Sequence, residues 1–131
     1  MTRQESRRAA FRLLFEYTFG GDPEEIMANA KEYRGETISG FARQLFTGTL
    51  ANLQEIDSKI SAFAEKRSLG RIARVPLSCL RLASYELLYT ETPARIVVNE
   101  ALDICREYNC DDSVSFVNGI LGKVSEAANK E

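Results

Sequence analysis

Histidine and tryptophan are both missing from this 131-residue chain. The first absence removes the commonest general base and the commonest transition-metal ligand. It also leaves serines and cysteines without the imidazole that usually activates them. Cysteine is limited to Cys79, Cys105 and Cys110. This odd, scattered set has no C-x-x-C pair and reads as reduced, buried thiols of a cytoplasmic protein. No apolar run approaches the roughly 18–20 residues of a membrane span. Met1 to Arg8 is polar and arginine-rich with no apolar stretch behind it, so neither a membrane anchor nor a secretory signal is expected. There is no phosphate-cradling glycine loop and no G-x-S-x-G elbow. Carboxylates pair only as Glu24-Glu25 and Asp111-Asp112, at helix starts where the macrodipole favours acids. The expectation is a binding protein rather than an enzyme, with no cofactor and no metal.

What is present suits one helical domain. Hydrophobic residues make up 44% and charged residues 27%, and the length is enough to close one core. Period-2 alternation is scarce and helical periodicity is common. Thr2 and Glu5 form a T-x-x-E capping box for a helix running to about Phe19, with Ala10, Phe11, Leu14 and Phe15 on its core face. Gly20-Gly21 end it. Asp22-Pro23, with Glu25, start a second helix to about Tyr33. A third spans roughly 37 to 65 with a break expected near Asn52. Lys66 to Val75 reads as a basic, irregular loop with room for one helical turn. Pro76 is expected as the first residue of the next helix, whose face carries Leu77, Leu80, Ala83, Leu87 and Leu88. Another helix carries Val97, Val98, Ala101, Leu102, Cys105 and Tyr108. Asp111 and Asp112 offer an N-cap for the last helix, and the tail after Ala127 is expected to fray. Short connections predict antiparallel neighbours. The composition shift near residue 66 divides one domain into helical subdomains of about 1–65 and 66–131.

Net charge is −2, so nucleic-acid affinity would need a local patch. Residues 1–12 carry Arg3, Arg7, Arg8 and Arg12 against Glu5, a side-chain balance of +3. Arg8 and Arg12 share a helix face with Glu5 and Glu16, the spacing of a salt-bridged solvent face. Arg3 and Arg7 continue the line of Ala10 and Leu14 beyond the apolar stripe, where guanidiniums could grip phosphates. Lys66, Arg67, Arg71, Arg74 and Arg81 would extend that patch if their loop folded beside the first helix. Gly119, inside a helix, costs about 1 kcal/mol relative to alanine. It suggests close approach by another helix or by a ligand. Asn99-Glu100, a polar pair in an apolar stretch, suggests hydrogen bonds across helices.

Three strings in the second half carry more. Leu80-Arg81-Leu82-Ala83-Ser84-Tyr85-Glu86-Leu87 resembles the L-R-x-A-x-Y-E-L of the bacterial NusB family. Pro93 to Ala101 resembles its P-x-x-V-x-I-N-E-A, and Asp112 to Leu121 its D-S-x-K-F-V-N-G-V-L. Arg7 to Phe15 is similar to its arginine-rich first helix. The resemblance covers essentially the whole chain. It implies a compact all-α bundle of about seven helices and a role in processive transcription antitermination linked to ribosomal RNA synthesis. The partners it implies are NusE (a small-subunit ribosomal protein), a single-stranded boxA-type RNA, the RNA polymerase antitermination complex and, in some members, a second copy in a homodimer.

Carried onto matching positions, it makes Arg3, Arg7, Arg8, Arg12, Phe116, Gly119 and Lys123 RNA-contact candidates. Tyr85 and Glu86 become candidates for the surface that meets NusE. Gly122 stands where the family often has an acidic residue, and Leu69 lies where it often has an aromatic. Two other readings use the same fold: a scaffold binding a ribosomal protein without RNA, and the RNA-binding domain of a larger RNA methyltransferase. The chain has no cofactor-binding βαβ pattern for the latter.

Overall fold

In the computed structural model, which describes residues 1–65 and 67–130, local capping chemistry delimits each helix. Thr2 Oγ1 accepts from the Glu5 N–H at 3.0 Å and opens α1, Arg3–Tyr17. Gly20 and Gly21, both at positive φ, turn the chain away. Asp22 accepts from the N–H groups of Glu24 and Glu25 and opens α2, Pro23–Arg34. Gly35, in the left-handed region, closes it. Ser39 accepts from Ala42 N–H and delays α3 to Gly40–Ala51. The expected break falls at Asn52, whose side chain donates to the Gly48 carbonyl at 2.9 Å, and α4 follows over Leu53–Phe63.

A single 3-10 turn, Leu69–Arg71, interrupts the basic loop before α5, Arg74–Tyr89. That helix begins two residues earlier than expected. Pro76 sits third, still among the first-turn positions whose N–H has no helical partner. α6 spans Ala94–Glu107 and α7 Val114–Ala127. Asp111 and Asp112 do not cap α7. They lie in a second 3-10 turn, Asp111–Ser113, and make no side-chain capping bond. Among the described residues there are seven α-helices and no strand.

α5 is the hub, packed against α1, α3, α4, α6 and α7. Its buried residues run almost all round, from Pro76 to Leu87. Phe11, Leu13 and Leu14 of α1, Leu45 and Phe46 of α3, Ile56 and Ile60 of α4, Ile104 of α6 and Leu121 of α7 close the core about Leu80 and Leu87. Cys79 and Cys105 are buried within it, and Cys110 is half-buried. A hydrogen bond with Cys105 and then burial push the Cys79 thiol far up, which makes it a poor nucleophile. Beyond α7, Lys130 Nζ donates to the carbonyls of Glu86, Thr90 and Thr92 at 3.1, 2.6 and 2.8 Å, satisfying the end of α5.

Candidate nucleic-acid interface

The four α1 arginines are distributed by their partners. Arg7 is buried, and its Nε and Nη2 donate to the two carboxylate oxygens of Glu86 at 2.7 and 3.1 Å. The expectation that Arg7 projects past the core to grip phosphate is therefore corrected: the central helix supplies an acid directly beneath it. Arg8 and Arg12 do not pair along their own helix either. Arg8 bonds Glu107 through Nε and Nη2, and Glu100 through Nη1 at 3.0 Å. Glu100 also accepts from Gln4, so it does bond across helices as its place in the apolar stretch suggested. Arg12 Nε donates to Glu36 at 2.7 Å, while Glu16 faces Arg34. The Glu107 bonds raise the pKa of Arg8, and the same bonds hold the Glu107 carboxyl below its usual range. Arg3 is exposed, and its guanidinium lies 3.8 Å above the centre of the Phe41 ring. Among the described residues it has no salt bridge.

The second group lies on α7. Phe116, Gly119 and Lys123 follow one another at helical spacing, with Asn118 and Gly122 beside them. Asn118, Gly119, Gly122 and Lys123 are exposed and Phe116 is half-buried. A Cβ added at Gly119 or Gly122 would meet nothing within 4 Å. No helix approaches Gly119, so close helix packing is not the reason for a glycine there. Lys123 reaches across to Glu65 at 3.0 Å. The basic loop folds beside this helix: the Arg67 guanidinium sits 4.3 Å above the Phe116 ring centre. Arg74 lies over Phe19, and Arg81 is paired with Asp57. Lys66 lies outside the described residues.

Tyr85 and Glu86 are not surface groups. Glu86 is 1% exposed and Tyr85 7%, because α5 is covered on nearly every side. They act from within, Glu86 by holding Arg7 and Tyr85 by filling the space above Gly48. A Cβ at Gly48 would lie 2.6 Å from Tyr85 Cε1 and nearer still to Cζ and Oη. The surface near them is marked by Tyr89, stacked on Tyr85 with centroids 5.8 Å apart and 38% exposed.

Comparison with known proteins decides the lineage. The model of the NusB family matches residues 4–126. The chain belongs to the NusB family. It is 41% identical to a transcription antitermination protein NusB of Lysinibacillus sphaericus, over 96% of this chain and 98% of that one. It is 35% identical to its counterpart in Desulfitobacterium hafniense, over 100% and 93%. A NusB structure from T. maritima superposes with a TM-score of 0.86 at 35% identity, over 96% of this chain and 92% of that one. A chain from a crystal structure of the antitermination factors NusB and NusE in complex with dsRNA superposes at 0.85, with 27% identity and 95% and 96% coverage.

The sequence reading named Glu86 for a partner surface and Glu100 for bonds across helices, but did not see that these two, with Glu36 and Glu107, occupy the arginines. It also missed Gly48, the glycine of close approach, and it left open where the basic loop folds: Arg67 lies against Phe116 of α7, while Arg74 reaches Phe19 beyond the end of α1. One signal was readable. Apolar residues on every side of Tyr85 and Glu86 mark a central helix, and a carboxylate there needs a buried cation.

Proposed function

We propose that this transcription antitermination family member acts by binding single-stranded boxA-type RNA of ribosomal RNA leaders together with NusE, within the RNA polymerase antitermination complex. It does so in the cytoplasm, without catalysis and without a cofactor. The carrying observation is the bare backbone strip at Gly119 and Gly122, flanked by Phe116 and Lys123. Among the described residues no side chain packs on the two glycines, and the neighbouring aromatic, cation and open backbone suit unstacked bases and phosphates. The related NusB captured with NusE and dsRNA supports NusE and RNA as partners, the RNA there being double-stranded. Arg3 is the α1 group best presented to phosphate. Arg8 and Arg12 contribute by exchanging a carboxylate for a phosphate, and Arg7, Tyr85 and Glu86 hold the surface in shape.

A net acidic chain attracts RNA weakly, so a basic partner is expected to add phosphate contacts and fix the RNA path. Titration of labelled boxA RNA with and without NusE should show weak binding alone and a large gain with NusE. Equal affinities would overturn the cooperative mechanism. Equal affinity for a duplex of the same sequence would overturn single-strand recognition.

A second reading, a scaffold that binds a ribosomal protein without RNA, is favoured by the pairing of Arg7, Arg8 and Arg12 with glutamates. Loss of RNA from a NusE pull-down at moderate salt would support it. A homodimer using the α7 face would compete with RNA, and a mass measurement with and without RNA would register it.

A further inference from the structure

The basic loop between α4 and α5 contains two arginines that the function above leaves unused. Arg67 and Arg71 line a groove of about 540 Å³ with Ala64, Glu65 and Phe116, a volume within the range of small-ligand sites. Their positions are anchored. Ile72, buried at 5% exposure, and the half-buried Leu69 pin the loop to the core. The 3-10 turn is closed by Arg71 N–H to Ser68 O at 2.9 Å and Ile72 N–H to Leu69 O at 3.1 Å. Arg67 N–H bonds the Ala64 carbonyl at 3.2 Å. Among the described residues neither guanidinium is in a salt bridge, unlike those of Arg7, Arg8 and Arg12. The one acid in the lining, Glu65, is occupied by Lys123.

We propose that Arg67, Arg71 and Phe116 form a nucleotide subsite that continues the α7 surface: the Arg67 guanidinium, seated on the Phe116 ring, is a stacking platform for one RNA base, and Arg71 takes an adjacent phosphate. The proposal rests on the RNA-binding reading and adds the loop to it. The Arg67 guanidinium is already held 4.3 Å over an aromatic ring on an exposed residue, and bases stack on such planes as they do on aromatic rings. Arg71, on the same groove, supplies charge without needing to stack. The two residues therefore differ in what they tolerate. A lysine can replace Arg71 as a point charge, but not Arg67 as a plane.

The test measures affinity of the full chain with NusE for labelled boxA RNA across a salt series. R67A and R67K should each weaken binding roughly fivefold to a hundredfold. R71A should weaken it and lower the slope of log K against log salt by about 0.7, the value for one single-strand phosphate contact. R71K should retain most of the affinity. Wild-type affinity and slope in R67A and R71A, while the parent protein binds RNA, would overturn the subsite and leave the RNA reading standing. Failure of the parent to bind RNA, or Arg71-dependent binding of a polyglutamate peptide in its place, would overturn both. Because both side chains lie at the surface, unchanged circular dichroism melts should accompany every variant.

Discussion

At the residue scale, the arginines of α1 differ in what a mutation would report. Arg7 and Glu86 form a buried, bidentate pair. Removing one partner strands the other charge in the core, at a typical cost of about 3–5 kcal/mol. Glu86→Ala or Arg7→Ala should therefore lower unfolding free energy by about that amount in urea, whatever happens to RNA binding. Arg8 and Glu107 are a surface pair, with the Glu107 side chain 47% exposed. Hydrogen bonds from Arg8 depress the Glu107 pKa. The pair's stabilisation is thus complete above the ordinary carboxylate range and is lost as pH falls through the depressed value. Glu107→Gln should flatten that acid-side slope and loosen Arg8, which Glu100 still holds, raising RNA affinity by no more than about two- to fivefold. An acid titration of melting temperature and an RNA titration at neutral pH check the two halves.

At the element scale, two mid-helix glycines have opposite roles. Gly48 of α3 has no room for a Cβ, because the Tyr85 ring of α5 lies against it. Gly48→Ala should destabilise by about 1–3 kcal/mol, the usual range for overpacking a filled core. Gly119 of α7 has open space, so Gly119→Ala should stabilise by up to about 1 kcal/mol through helix propensity alone. If RNA backbone or bases lie on that strip, the same methyl group weakens RNA binding. Denaturation and RNA titration of the two variants should give opposite signs in stability and a loss of affinity specific to Gly119→Ala.

At the scale of the whole molecule, net charge sets the balance. A chain of charge −2 with three of its four α1 arginines neutralised has few cations to give to phosphate. The slope of log K against log salt for this chain alone should be shallow, matching two or three single-strand contacts at about 0.7 each, and should steepen with NusE. Arg3→Ala should lower that slope. Arg7→Ala should leave the slope alone and lower stability instead. The described residues contain no helix long and apolar enough to cross a membrane.

What was legible in the sequence is what depends on neighbours along the chain. Capping at Thr2, Asp22 and Gly35, the break at Asn52 and the apolar faces follow from contacts within about four residues, so the all-α architecture could be read directly. The ordered Y-E-L, V-N-E-A and F-V-N-G strings carried the family. What only the tertiary structure decided is who answers each charge and each gap. Arg7 meets Glu86 79 residues away, and Arg8 meets Glu107 99 residues away. No periodicity encodes such pairings. Tertiary packing paired Arg7, Arg8 and Arg12 with glutamates, took close packing from Gly119 and gave it to Gly48, and set Arg67 against Phe116 and Arg74 against Phe19. The reason is physical: helical spacing states which residues share a face, while the packing of helices around α5 determines what that face meets.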